Sequence, residues 1–409
     1  MEKAFQNVSA NCSHQNWEKF VKRENELYKR PQDIRSEFAR DNTRILHSNG
    51  YRRLKTKTQV FFATKNDHIC TRIEHVNHVA SVSSIIAKQL GLNEDLVNAI
   101  AIGHDIGHAP FGHHGETVIR KIMIDEIPGN SFWHEKNSLF FVDHIETLTD
   151  SIGYEQNLNL TYAVRDGIIS HCGEVNEDAI FPRSEYIDLE NISKPNEYQP
   201  YTWEGCVVKI ADKIAYLGRD IEDAMFFKIL NYGNYKELTS ILERHFPKSN
   251  LREINNGILI HGFITDLINN STPENGIRLS PHYLGLMNDI KSFNYSVIYR
   301  YWRIESFKEY ATVVIKTIFN TLMRYFDFRD YSNRILLSKE NFPVLTGYFK
   351  DWLLKYSNVD LKRRNKLKFK NKIIYDAFNR ESYIKCCLDF ISGMTDNFAL
   401  KVYHEIISF

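Results

Sequence analysis

The chain has 409 residues, 43% hydrophobic and 25% charged, with a net charge of +1 and six cysteines. That is ample apolar material for a large core, and so small a net charge supplies no whole-molecule field to draw the protein to nucleic acid or a membrane. Scattered cysteines without a CxxC pair predict reduced thiols, and a polar stretch from Met1 to Gln15 with no membrane-length apolar run points to the cytoplasm.

Residues 1–34 read as a polar leader holding one short helix and a loop. From Arg35 to Val60 the basic side chains Arg35, Arg40, Arg44, Arg52, Arg53, Lys55 and Lys57 suit a pair of solvated, salt-bridged helices. In the next helix Ile73, Val76, Val79, Ile85, Ile86 and Leu90 recur every three or four residues until Gly91 stops it. Asn93 is placed to cap a further helix with Leu96, Val97, Ile100 and Ala101 on its apolar face.

Then comes the densest polar stretch, Gly103 to Glu116, with four histidines (His104, His108, His113, His114) and two carboxylates (Asp105, Glu116) among glycines and a proline. Such a run must be solvated or must bind something. Asp125 to Asn130 breaks the chain before a helix expected from Phe132 to Ile145, and Leu158 to His171 is again helical in period. Gly173 to Pro200, acidic and without periodicity, is expected to be a long loop over the mouth of a site or at a subunit contact.

Cys206 to Met225 reads as a helix on which Asp212, Tyr216 and Asp220 fall at i, i+4 and i+8 and so share one face. Further helices are expected in Glu253–Ile268, Tyr295–Phe328 and Ser382–Phe409. Lys362 to Lys372 holds seven basic residues in eleven; it suits a solvated face or an anion site for a regulatory nucleotide or single-stranded nucleic acid. There is no Gly-rich phosphate loop and no βαβ alternation. Isolated histidines such as His47, His68, His144 and His171 read as ordinary core or capped side chains, and His78 and His114 as surroundings of the motif.

Adjacent His104 and Asp105 at a helix end can reach one point if that point is a cation, and imidazole with carboxylate suits Mn, Fe, Co, Ni, Zn or Mg. His75 and Asp212, on the flanking helices, are the candidates to complete the set. The order His75, His104-Asp105, Asp212 resembles the ligand pattern of HD-domain phosphohydrolases. More narrowly, the chain resembles the deoxyguanosinetriphosphate triphosphohydrolase family. The likeness runs from about Arg35 to Ala224 in separate blocks: Arg35 to Ser48 with Tyr51 to Phe61, the metal motifs, His134-Glu135, Leu158 to Thr161, and Ala211 to Tyr216 with Asp220.

That resemblance implies an all-α fold with an HD core at 35–235 and a C-terminal helical region at 236–409 packed on it in one compact body. It implies metal-dependent cleavage of a dNTP to deoxynucleoside and inorganic triphosphate, in a homo-oligomer of four or six subunits. His113 is suited to protonate the departing 5′-oxygen, with Glu116 orienting it; both match the family's catalytic pair. His134 and Glu135 match its second His-carboxylate pair, and Arg72, His108 and Lys213 would neutralise the phosphates. Gln59 matches a glutamine near the deoxyribose, Tyr216 a residue beside the sugar, and Asp220 an acceptor for the 3′-hydroxyl. Ala109 in place of a common proline, Leu217-Gly218-Arg219 before Asp220, and Lys213 depart from many bacterial members on the nucleoside side, so the base preference stays open. Two alternatives are another HD nucleotide phosphohydrolase, a 5′-nucleotidase or alarmone hydrolase, and a non-catalytic nucleotide sensor or single-strand binder.

Overall fold

The computed structural model describes residues 3–27, 32–62, 68–172, 177–245, 256–326 and 341–408. The longer helices, labelled in chain order, are α1 (Glu37–His47), α2 (Arg72–Leu90), α3 (Glu94–Gly103), α4 (Gly112–Glu126), α5 (His134–Phe140), α6 (Tyr162–Ser170), α7 (Trp203–Phe226), α8 (Tyr232–His245), α9 (Asn256–Asn270), α10 (Pro281–Phe293), α11 (Trp302–Met323), α12 (Pro343–Tyr356), α13 (Arg380–Ser392) and α14 (Asp396–Ile407). The fold is all-α. Its one hairpin among the described residues, which periodicity did not announce, pairs β1 (Thr147–Thr149) with β2 (Glu155–Asn157), Thr147 opposite Asn157.

Local chemistry sets the helices that matter for function. Thr71 and Glu74 cap α2 reciprocally, the Thr71 amide donating to Glu74 Oε2 at 2.7 Å. Gly91 ends α2 at φ 87°, a left-handed conformation glycine adopts without a Cβ clash. The Asn93 side chain accepts from the Leu96 amide at 3.2 Å and opens α3, and Thr202 does the same for α7 through Gly205 at 3.1 Å.

These three helices pack together through Val79, Ile86, Leu96, Ile100, Val207, Ala211 and Ile214, all buried in one core cluster. Each large aliphatic side chain so buried contributes roughly 1.5–3 kcal/mol, which fixes the relative positions of α2, α3 and α7 and therefore of the polar groups they carry. The N-terminal segment is docked on this unit: Phe5 is fully buried and its amide donates to the Leu90 carbonyl at 2.9 Å. Buried Glu204 of α7 accepts from Ser9 Oγ, the Ala10 amide and the Asn93 amide.

Several expected helices differ in extent. The Phe132–Ile145 helix is α5 followed by a wider π-helical turn at Phe141–Ile145. Tyr295 lies in a π-helical turn at Asn294–Ile298, and α11 begins only at Trp302; residues 327–328 of that expected helix lie outside the described residues, as do 253–255 of the one that became α9. The Ser382–Phe409 segment breaks at Gly393 because Thr395 caps a new helix, accepting from the Phe398 amide.

Of the loop expected over the site mouth or at a subunit contact, residues 173–176 lie outside the described residues and the rest is tied to α6 and α7. Arg183 bonds Asp166 of α6 at 2.5 Å, and Lys209 of α7 reaches Asn196 and Gln199 at 2.5 and 2.8 Å. The basic run forms a short helix at Leu361–Lys366 and then lies beside β2, the Lys370 amide donating to the Glu155 carbonyl. Its Arg364 is buried and spent on the Phe369 and Asn371 carbonyls.

Candidate metal centre and catalytic cleft

The C-terminus of α3 delivers His104 as its last, capping residue and Asp105 as the first of the turn beyond. His75 projects from the first turn of α2 and Asp212 from the middle of α7. His75 Nε2 lies 2.9 Å from Asp212 Oδ1 and 4.0 Å from Asp105 Oδ2; His104 Nε2 lies 3.6 Å from Asp105 Oδ1 and 3.8 Å from Asp212 Oδ1. Ligands about 2.1 Å from one cation sit roughly 3–3.5 Å from each other; His75, His104 and Asp212 form one group that could hold a metal ion, and Asp105 adjoins it at slightly wider spacing.

Protonation fits as well. His104 Nδ1 lies 2.6 Å from the Ala101 carbonyl; a carbonyl only accepts, so Nδ1 carries the hydrogen and Nε2 presents a lone pair, buried and without a hydrogen-bond partner. Burial lowers the His104 pKa to about 4 against the pull of Asp105. Burial favours protonation of Asp105, yet Arg72 and the surrounding imidazoles hold it well below the usual carboxylate range. Asp212 is likewise depressed, its burial outweighed by the hydrogen bond and charge of His75, whose own pKa Asp212 and Asp105 raise against burial, so a cation here would displace the His75 proton. Neutral imidazole and ionised carboxylate are the forms that ligate metals.

The turn from Asp105 to Phe111 is braced from several sides. Gly107 packs against α5 so closely that a Cβ there would meet the Ser138 amide nitrogen at 2.2 Å. Its amide donates to Ser138 Oγ at 3.0 Å and its carbonyl accepts from Asn137 Nδ2 at 2.5 Å. Buried Lys57 donates to the His108 and Ser392 carbonyls, and buried Asp396, at the start of α14, accepts from the amides of Phe111 and Thr58 at 3.0 and 3.1 Å. The C-terminal region thus holds the turn that carries Asp105 and His108 in place.

Beside this centre lies a second group. Glu116 Oε2 is 3.0 Å from His134 Nδ1 and 3.6 Å from His113 Nδ1, while its other oxygen takes Arg120. Glu135 Oε2 is 3.4 Å from His134 Nδ1. Burial alone would lower the His134 pKa, but Glu135 and Glu116 push it up to about 10, so the ring is an imidazolium. Glu116 is driven far below its ordinary value, its burial overcome by His113 and His134. His134 stacks on His108 at 4.0 Å between ring centroids, and the His113 side chain is 64% exposed.

A cavity of about 380 Å³ joins the two groups, and Gln59, Arg72, His75, Asp105, His108, His113, His134, Glu135, Asp212, Tyr216 and Asp220 line it. Arg72 bonds Asp105 through Nη1, but its Nε and Nη2, both buried, have no hydrogen-bond partner, and neither does Gln59 Oε1. Asp220 accepts from the Tyr299 hydroxyl, and its burial raises it to about 7. His104 and Glu116 sit behind the wall. Lys213 is the expected contact that does not line the cavity; its burial and the nearby Lys291 and Lys209 lower it to about 8. No described residue of 177–202 lines it either.

His171, Tyr295, Tyr299, Ile304 and Lys308 line the cavity without having stood out in the sequence. His171 is buried at the end of α6 with Nδ1 locked to the Ile168 carbonyl at 2.6 Å, and its ring lies 4.7 Å from that of His104. Only its place after a short apolar helix could have signalled it.

A His/Asp cluster at the junction of α2, α3 and α7 defines an HD-domain protein, and the HD domain model matches residues 72–217. Over nearly its full length the chain is similar to proteins called deoxyguanosinetriphosphate triphosphohydrolase-like. That of Rickettsia bellii is 32% identical over 401 residues, 95% of this chain and 96% of its own. That of Caldanaerobacter subterraneus subsp. tengcongensis is 32% identical over 376 residues, 91% of this chain and 86% of its own. The chain belongs to the deoxyguanosinetriphosphate triphosphohydrolase-like family, a family of HD-domain hydrolases. Among the described residues no helix is long and apolar enough to cross a membrane.

Proposed function

We propose that the protein is a metal-dependent dNTP triphosphohydrolase that releases deoxynucleoside and inorganic triphosphate, in control of the dNTP pool or in depletion of DNA precursors during phage infection. The observation that carries this reading is Arg72, whose buried, unpaired N–H groups face the same cavity as the His/Asp cluster. Buried donors left unpaired cost about 1–3 kcal/mol each, and a phosphate oxygen pair is the acceptor a guanidinium fork fits best.

A divalent cation on His75, His104, Asp105 and Asp212 would supply Lewis acidity and a water acidic enough to attack phosphorus. The remaining chemistry belongs to the side chains. Arg72 and the His134 imidazolium bind the phosphates, His134 with its charge maintained by Glu116 and Glu135. The bond cleaved is that between the α-phosphorus and O5′, and His113 donates the proton that lets the nucleoside leave as an alcohol; Glu116, 3.6 Å from its Nδ1, orients it. Tyr216 packs beside the sugar, Asp220 accepts from the 3′-hydroxyl in competition with Tyr299, and the unpaired Gln59 oxygen accepts from the nucleoside.

Incubation with each dNTP, singly and mixed, with Mn²⁺ or Mg²⁺ and separation of products by ion exchange tests the reading. Inorganic triphosphate sets it apart from a 5′-nucleotidase or alarmone hydrolase, and absence of turnover would leave a nucleotide sensor.

A further inference from the structure

Among the described residues, side chains able to hold a metal converge in four overlapping groups in this cleft, two of them (His104/Asp105/His171 and His134/Glu135/His171) sharing His171. Besides the His75/His104/Asp212 group, ring nitrogens of His108, His113 and His134 and a carboxylate oxygen of Glu116 all lie within 4.8 Å of one another. His108 supplies an independent sign that this group takes a ligand. Its ring is 1% exposed, its Nε2 faces Asp105 Oδ1 at 3.3 Å, and its Nδ1 is buried with no hydrogen-bond partner.

We propose that His108, His113, Glu116 and His134 form a second cation site, one that binds Zn²⁺ and inhibits. Three imidazoles and one carboxylate make a closed four-donor set, the number and kind that tetrahedral Zn²⁺ takes, and His134 joins it by giving up its ring proton to solvent as the cation binds. The first centre, two imidazoles and two carboxylates, is richer in oxygen and suits harder cations. The two sites therefore differ in preference although Asp105 and His108 place them side by side. Entry is open, since the His113 side chain is 64% exposed while Glu116 and His134 wait behind it.

A cation here occupies the nitrogens that hold the proton and the phosphate charge, so binding and proton donation exclude each other. That consequence rests on the triphosphohydrolase reading; the site itself does not.

Equilibrium dialysis of the metal-free full chain against Zn²⁺, with bound metal counted by mass spectrometry, tests the site. Wild type is expected to hold two equivalents, Asp212→Ala one, and His113→Ala one, with His113→Ala keeping the wild-type melting temperature because its side chain is exposed. Co²⁺ in Asp212→Ala should give the intense visible absorption of a four-coordinate ion. One equivalent in wild type, or two retained in both His113→Ala and Glu116→Gln, overturns the proposal. In the Mn²⁺-loaded enzyme, one added equivalent of Zn²⁺ is expected to cut triphosphate release at least about 100-fold, the scale of a lost general acid. Two bound Zn²⁺ in a protein that turns over no dNTP would sink the substrate reading and leave the site standing.

Discussion

Asp212 of α7 places Oδ1 2.9 Å from Nε2 of His75 on α2, a contact set by the apolar packing of those two helices. Because His104 Nε2 stands 3.8 Å from the same oxygen with its tautomer locked by Ala101, the three groups are arranged before any cation arrives. Asp212→Ala and His104→Ala should each empty the first centre. Metal analysis after dialysis against Mn²⁺ would show less than about a tenth of the wild-type content, since losing even an outer partner of a ligand costs 10–100-fold in affinity.

His113→Ala should behave in the opposite way. Turnover of dNTP is expected to fall about 10²–10⁴-fold, while bound Mn²⁺ stays at the wild-type level. Loss of Mn²⁺ together with turnover would place His113 among the ligands of the first centre.

Arg72 has two roles that separate in different substitutions. Arg72→Lys keeps a positive charge near Asp105 but loses the planar fork, and the KM for dNTP should rise about 10–100-fold, as for one charge-assisted hydrogen bond. Arg72→Ala leaves the buried Asp105 carboxylate without its guanidinium and should also lower stability by about 3–5 kcal/mol, read as a shift in the denaturation midpoint.

Asp389, buried in α13, accepts from the Tyr375 hydroxyl at 2.8 Å, and burial raises it to about 7. A carboxyl whose pKa is higher folded than unfolded binds more protons in the folded state between about pH 4 and pH 7, so stability falls as pH rises through that window and the cost is complete above it. Asp389→Asn should therefore raise the melting temperature at pH 8 and leave it nearly unchanged at pH 4. An equal change at both would mean that Asp389 is ionised in the fold at both.

Much of this architecture was legible in the residues. Gly91 and Asn93 marked the boundary between α2 and α3, and the apolar stripe of α7 put Asp212, Tyr216 and Asp220 on one face, because helix caps and periodicity are local signals. Adjacent His104 and Asp105 needed only a helix end. What stayed hidden depends on tertiary placement. His171 is one histidine after a short apolar helix, and nothing near it in the chain says that it meets His104. Tyr295 and Tyr299 reach the cavity from the π-helical turn that follows α10, a turn periodicity misreads, and Lys308 from α11 beyond it. Lys213 was carried over by resemblance, and a rotation of one residue along α7 from Asp212 turns it out of the cleft.

The most direct measurement is the product formed from dGTP, and then from each other dNTP, by the Mn²⁺-loaded protein, resolved by ion-exchange chromatography. The account predicts deoxynucleoside and inorganic triphosphate in equal amounts, abolished in Asp212→Ala. Release of orthophosphate or pyrophosphate with a deoxynucleotide, from a preparation whose metal content is intact, would contradict it.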